Sequence, residues 1–231
     1  MIKTKSKDWT SFHLKSIKYG RYPKYPQELM LKTIFGRYSE LNIPIKKKSR
    51  ILDVGCGFGN NLIPFIDLEC IVRGVEIDKV ICNITQKILK KKFPKKDINI
   101  EVGHNRSIPF KNNFFDLVTT NTLHYENNLE DINAALDEYC RVIKKNKFIY
   151  ITTTGNKSDF FKKTKKVSNN IYQIRDEKDK IRFGKNFFFF QNEKFFKKIL
   201  SKHFSKVVLG RDTIMINGNC TDTFMALCQK K

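Results

Sequence analysis

The sequence predicts a doubly wound α/β fold around a largely parallel sheet. Three observations carry that prediction. Short apolar strands alternate with stretches of helical period from residue 50 onward. A glycine-rich turn joins the first strand to its helix, and a carboxylate closes the second strand. The chain has 231 residues, 40% apolar and 29% charged, a globular composition long enough for a core without disulfides or metal. It reads as one domain over 1–231 in four parts. These are an N-terminal helical cap (1–45), a core (48–154), a lid segment (155–190), and a closing helix with a strand hairpin (191–231).

The elements follow in order. Residues 1–20 are polar, with Trp9, Phe12 and Tyr19 as apolar anchors, and lead into Tyr22-Pro23-Lys24-Tyr25-Pro26. Pro26 suits the first turn of a helix over about 26–38, where a missing N–H costs nothing; Leu29, Met30, Ile34 and Phe35 share a face. Strands are expected at 50–54, 72–77, 98–102, 115–120 and 148–152, with helices starting at Asn60 and covering 80–89 and 129–143. The last helix carries Ile132, Leu136, Tyr139, Cys140 and Ile143 at helical spacing. Residues 155–185 break the rhythm, being Lys-rich with scattered Phe and Tyr. Long irregular segments in compact domains are commonly functional, so a lid is preferred to a solvated loop. The run Phe187–Phe190 reads as core and strand or as part of an acceptor pocket. A helix over 192–203 and strands at 206–209 and 223–227, turning through Gly218, close the chain.

Lys and Arg number 45 against 23 Asp and Glu, a net charge of +22. The surplus is 36 Lys against 9 Arg, scattered along the chain. Base readout and bidentate phosphate clamping favour Arg. The charge therefore reads either as compositional bias on solvated faces or as a footprint for a negatively charged partner. No apolar run approaches the roughly 18 residues of a spanning helix, and no apolar stretch follows the basic N-terminus. No membrane insertion and a cytoplasmic location are the expectation. The six cysteines form no C-x-x-C and no zinc spacing with the four histidines, so they read as reduced core residues and no metal site is expected.

The chemical signal is Ile51-Leu52-Asp53-Val54-Gly55-Cys56-Gly57-Phe58-Gly59-Asn60. Glycines at alternate positions allow tight turning and close approach of a ligand to backbone, and free amides at a helix start can meet an anion. Glu76 ends the second strand about 20 residues on, the placement that suits a carboxylate accepting both ribose hydroxyls. A dinucleotide fingerprint would put its third glycine where Asn60 stands; here it is Gly59. No Gly-Lys-Ser/Thr follows, which excludes a Walker loop.

Asp53 to Gly59 resembles motif I of the class I S-adenosylmethionine-dependent methyltransferases, in particular their type 11-like small-molecule group. Val75-Glu76-Ile77-Asp78 resembles their second motif. Ile108-Pro109-Phe110 with Phe114-Phe115-Asp116-Leu117-Val118, Leu123-His124-Tyr125, and the helix and strand over 136–152 resemble later segments, so the likeness spans about 48–154. It implies a Rossmann-like sheet of seven strands with the last antiparallel, and S-adenosylmethionine as cofactor. Gly55, Gly57 and Gly59 would let the methionine portion lie on the backbone, with Asp53 near its amino group. Glu76 would hold the ribose, Ile77 would pack on adenine, and Asn105 would lie near the adenine edge. Thr120 and Asn121 would stand at the reactive methyl. His104 replaces the Asp that commonly accepts from the adenine amino group. Lys145-Asn146-Lys147 replaces a "PGG" turn.

A sulfonium methyl is already electrophilic, so the protein's task is to bring a nucleophile into line. His124, after the fourth strand, is the leading candidate base, against a purely structural packing role; its ring would titrate near pH ~6.5. His13 and Tyr22 are further catalytic candidates, since an N-terminal helix often closes over this pocket in the family. Trp9, Tyr19, Tyr22 and Tyr25 offer an aromatic roof or simple packing. Arg21, Lys24, Tyr25, Arg182 and Lys185 are the expected acceptor-binding rim, on the two segments that would cover the pocket. They suggest a small anionic acceptor, such as a sugar or phosphorylated precursor, with a loose likeness to surface-polysaccharide enzymes. Neither an Asn-Pro-Pro-Tyr motif nor a Pro-Cys nucleophile is present, which disfavours the DNA adenine and cytosine enzymes. A ribosomal or transfer RNA acceptor is the alternative, and a non-catalytic scaffold of the same fold is the alternative of another class.

Overall fold

The computed structural model describes residues 6–20, 22–36, 40–179 and 182–231, without the side chains of residues 6–9 and 12. Arg21 and the Trp9 and Phe12 side chains lie outside the described residues. Helices α1 (Ser6–Lys18) and α2 (Glu28–Phe35) form the N-terminal cap. Strand β1 (Arg50–Val54) leads through the glycine turn to a 3-10 turn (Asn60–Leu62) and α3 (Ile63–Asp67). The single helix expected here is thus divided; Pro64 stands in the first turn of α3 and starts it afresh. Then come β2 (Ile71–Glu76), α4 (Lys79–Lys92), β3 (Ile98–Val102), β4 (Phe115–Thr120), a 3-10 turn (Leu123–Tyr125), α5 (Leu129–Val142) and β5 (Ile143–Thr154).

The two longest helices begin where a polar side chain satisfies free amides. Asp78 accepts from Val80 and Ile81 N–H at the start of α4, and Asn128 accepts from Asp131 N–H at the start of α5. Helix α5 passes into β5 without a loop. The replaced "PGG" turn is absorbed inside the strand, with Asn146 at φ 59°, a left-handed position that asparagine tolerates.

The segment after β5 is folded rather than a solvated loop. It holds a 3-10 turn (Asp159–Lys163) and a three-stranded antiparallel sheet of β6 (Thr164–Ser168), β7 (Ile171–Ile174) and β8 (Asn186–Phe188). Aromatic contacts hold it together: Phe161 lies against Tyr172 and Phe189, and Phe160 against Phe187. The four-phenylalanine run divides by position. Phe188 and Phe190 enter the main core, while Phe187 packs on Tyr125 and His124.

Helix α6 (Glu193–Leu200), capped by Asn192, precedes β9 (Phe204–Ile216) and β10 (Asn219–Lys230). These closing strands are far longer than the stretches that marked them, because the outer part of β9 is exposed, with Ile214, Met215 and Ile216 at the surface. Asn217 and Gly218, both at positive φ, make the hairpin turn.

The main sheet has seven strands in the order β3-β2-β1-β4-β5-β10-β9, parallel through β5, with β10 antiparallel to both neighbours. Apolar residues cover both faces, so the central strands read as continuous hydrophobic runs. Helices α5 and α6 close one face with Leu136, Tyr139, Phe196 and Leu200. Helices α2, α3 and α4 close the other with Met30, Phe65, Cys82 and Leu89. No helix of the described residues is long and apolar enough to cross a membrane.

Candidate functional site

Strand β1 pairs with β2 on one side and β4 on the other, so the strand order reverses there and opens a crevice at the carboxyl ends. The three glycines of the loop entering that crevice adopt positive φ for different reasons. A Cβ on Gly55 would stand 2.2 Å from Thr122 Cγ2, and one on Gly59 would stand 2.7 Å from Leu89 Cδ1. Gly57 has nothing within 4 Å of that position. The outer two glycines thus serve close packing, and only the middle one keeps open space over the backbone. Thr85 Oγ1 donates to Gly57 O at 2.6 Å and ties the loop to α4.

Glu76 is fixed by the same loop. Its carboxylate accepts from Gly57 N–H at 3.1 Å and Ile77 N–H at 2.8 Å. Burial raises its pKa against those two bonds and the nearby charge of His13. Asp53, 3% exposed, accepts from Thr119 Oγ1 at 2.8 Å. Burial lifts its pKa to about 7; the Thr119 bond opposes the shift and the Glu76 carboxylate adds to it. Two carboxyls whose pKa values burial raises therefore flank one glycine loop.

Helix α1 covers this region. The His13 ring stands 5.2 Å from Phe58, and the Tyr22 ring 5.0 Å from the same side chain. Thr10 Oγ1 donates to Asp78. Thr10, Ser11 and Leu14 of α1 face Ile77, Val80 and Val102 across a cleft of about 790 Å³. Ile77 is 45% exposed there and offers an apolar face of the kind a base would cover.

Other expected residues stand differently. Asn105 is consumed by the interior: its amide donates to Thr122 O and Glu126 Oε1, and its oxygen accepts from Thr122 Oγ1 and Tyr139 O–H. That side chain has no capacity left for an adenine edge. His104 Nδ1 accepts from Arg106 N–H at 3.2 Å, and burial and Arg106 lower its pKa. The neutral ring then carries its proton on Nε2, which makes that nitrogen a donor. Thr120 is buried and bonded to Thr122.

On the other side of the crevice lies a cavity of about 370 Å³, bounded by Asn121, His124, the β5 end (Thr152–Thr154), Thr223 of β10, Asp212 and Ile214 of β9, and the start of α2. His124 is partly buried, stacked on Phe187, with Nδ1 sealed from solvent and without a hydrogen-bond partner. Burial and then Arg182 push its pKa down to about 3, which overturns the expectation of a ring titrating near neutrality. Asn121 and His124 are brought together at this cavity; His13 and Tyr22 stand apart from them, over the glycine loop.

Lys24, Tyr25, Arg182 and Lys185 of the expected rim are not among the residues that line the cavity, and Arg21 lies outside the described residues. Lys24 Nζ lies over the Tyr22 ring, and Tyr25 is 82% exposed. Arg182 pairs with Asp179 and lies over Phe160. Lys185 is half-buried in the strand-bearing insertion, where its carbonyl accepts from Ile174 N–H. Sequence reading missed Thr119, Thr122, Thr85, Thr153 and Asp212. Thr119 was within reach, since it is the β4 residue in register with Asp53; the others depend on packing between distant segments.

Residues 51–146 match the family model described as methyltransferase domain. An uncharacterized methyltransferase of Schizosaccharomyces pombe is 36% identical over 107 residues, 43% of this chain and 38% of that protein. The chain spans less than half the length of the curated relatives it matches. Among solved structures, the PH0226 protein of Pyrococcus horikoshii superposes with a TM-score of 0.65 at 17% identity, covering 93% of this chain and 99% of that one. A SAM-dependent methyltransferase of Methanosarcina mazei gives the same score and identity over 80% of this chain and 94% of its own. At that identity the likeness is one of fold, and the fold is that of the class I methyltransferases.

Proposed function

We propose that this class I S-adenosylmethionine-dependent methyltransferase carries its cofactor between the glycine loop, Glu76 and α1, and passes the methyl group to a small acceptor in the cavity at Asn121 and His124. The observation that carries the reading is the loop itself. Gly57 is the one loop glycine with free space above it, and it stands beside a carboxylate already fixed at the end of β2. Glu76 would accept from the ribose hydroxyls, Ile77 would cover the base, and Asp53 would face the amino group of the methionine portion. The cofactor supplies an electrophilic methyl group when bound. The residues of this chain orient it and exclude water, and most of the acceleration comes from alignment.

A cavity of about 370 Å³ suits a metabolite-sized acceptor rather than a polynucleotide strand. Calorimetry with S-adenosylmethionine tests the reading. Glu76→Ala removes charge-assisted bonds worth about 1.5–3 kcal/mol, so its Kd should rise at least tenfold. Gly57→Val fills the open space and should abolish measurable binding. Wild-type-like affinity in either variant removes that residue from the site, and no binding by the native chain leaves only the scaffold reading.

A further inference from the structure

The acceptor cavity differs in chemistry from the strongly basic chain around it. Among the described residues that line it there is no Lys or Arg, although the charge of Arg182 reaches His124 at its edge, while Asp212 and Glu28 are present. Glu28 is exposed and paired with Lys32 of its own helix. Asp212 is different: half-buried on β9, it forms no ion pair or side-chain hydrogen bond with any described residue. Other interior carboxylates of this chain are matched, Asp222 by Arg211 and Thr213, Asp116 by Lys144, and Glu126 by Arg106. Asp212, Thr223 and Thr154 sit in register across β9, β10 and β5, so the three form one row on one sheet face.

Apart from Asp212 and Glu28 the polar lining is uncharged, with Asn121, Thr154 and Thr223 among it. An unmatched carboxylate, hydroxyls and a side-chain amide together suit a hydrogen-bond donor with positive charge. They do not suit a phosphate or carboxylate, which Asp212 would repel.

Building on the methyltransferase reading, we propose that the acceptor is a small amine whose nitrogen is met by Asp212. The neutral amine, its proton already released to solvent, forms the N–C bond with its lone pair. The C–S bond breaks with its electron pair passing to sulfur. The products are S-adenosylhomocysteine and an N-methylammonium ion. Positive charge thus moves from sulfur to nitrogen, and a carboxylate beside the destination favours that movement.

Calorimetry on the chain saturated with S-adenosylhomocysteine tests this. Phenethylamine, putrescine and ethanolamine are titrated against phenylacetate, succinate and glucose phosphate. At least one amine should bind, none of the anions should, and Asp212→Asn should weaken the amine at least tenfold; each variant's unliganded melting temperature reports its folding. Amine binding that survives Asp212→Asn, preference for the anions, or no amine binding at all overturns the proposal. Failure to bind S-adenosylhomocysteine in the first step would instead sink the methyltransferase reading itself.

Discussion

With Asp53 facing the amino group of the cofactor, as proposed, cofactor binding should depend on pH. The Asp53 carboxyl is buried, and desolvation holds its pKa at about 7 where an unfolded chain would release the proton near 3.8. An ammonium group placed beside it would require the ionised form. Below pH 7 each unit of acid then lowers the ionised fraction tenfold. At pH 5 about one molecule in a hundred is ready, so Kd for S-adenosylmethionine should be roughly 100-fold weaker than at pH 7.5, a loss of about 2.7 kcal/mol. At pH 6 binding should release close to one proton. Calorimetry at that pH in two buffers of different ionisation enthalpy counts it. Asp53→Asn should bind weakly, release nothing and show a flat profile. The unliganded protein carries the opposite trend: between pH ~4 and ~7 the folded state holds a proton that the unfolded chain lacks, so stability falls as pH rises, by about 4 kcal/mol in total. A native chain with constant affinity from pH 5 to 7 and no released proton would refute the placement of Asp53 at a cationic group.

Other substitutions separate packing from chemistry. His124 remains neutral down to about pH 3, so the turnover profile between pH 5 and 8 should show no inflection that His124→Ala removes; one near 6.5 that disappears in the variant would contradict the burial argument. Because the unfolded ring takes its proton near 6.5 and the folded one near 3, stability is full above 6.5 and falls as pH drops between these values, by up to about 1.4 kcal/mol per unit. His124→Phe should blunt that acid sensitivity in a melting series. Asn105→Ala leaves Tyr139 O–H and Glu126 short of partners and should cost roughly 2–4 kcal/mol of stability by denaturant titration, while the folded fraction keeps its cofactor affinity. Gly59→Ala places a Cβ at φ +74° against Leu89 and should cost about 1–2 kcal/mol without touching the ligand.

The sheet was legible because its five parallel strands are short, apolar and separated by helix-period stretches, and because Asp78, Asn128 and Asn192 mark helix starts by side-chain chemistry. The closing hairpin was legible only at its buried ends, since the outer part of its edge strand is exposed at every position and shows no alternation of buried and exposed residues. The insertion at 155–190 read as irregular because its small sheet is held by aromatic contacts between residues far apart in sequence, such as Phe161 with Phe189. Within the site, glycines and acidic residues showed through because few other residues can replace them in those backbone positions. Asp212 did not, since its meaning rests on what it lacks, and absence of a partner is visible only in three dimensions. Asn105 looked like a ligand-facing residue by position, yet a four-bond network turned it inward.

The two amides that hold Glu76 do so before any ligand arrives. A glutamate free to rotate would lose on the order of 1 kcal/mol of side-chain freedom upon being captured by a ribose. Here that loss has already been met in folding. In the proposed role the carboxylate would present its remaining lone pairs as a fixed template, and the hydroxyl spacing of the sugar would be tested against a rigid ruler. A nucleoside lacking one hydroxyl would leave an acceptor facing nothing, with no rotamer available to turn it away.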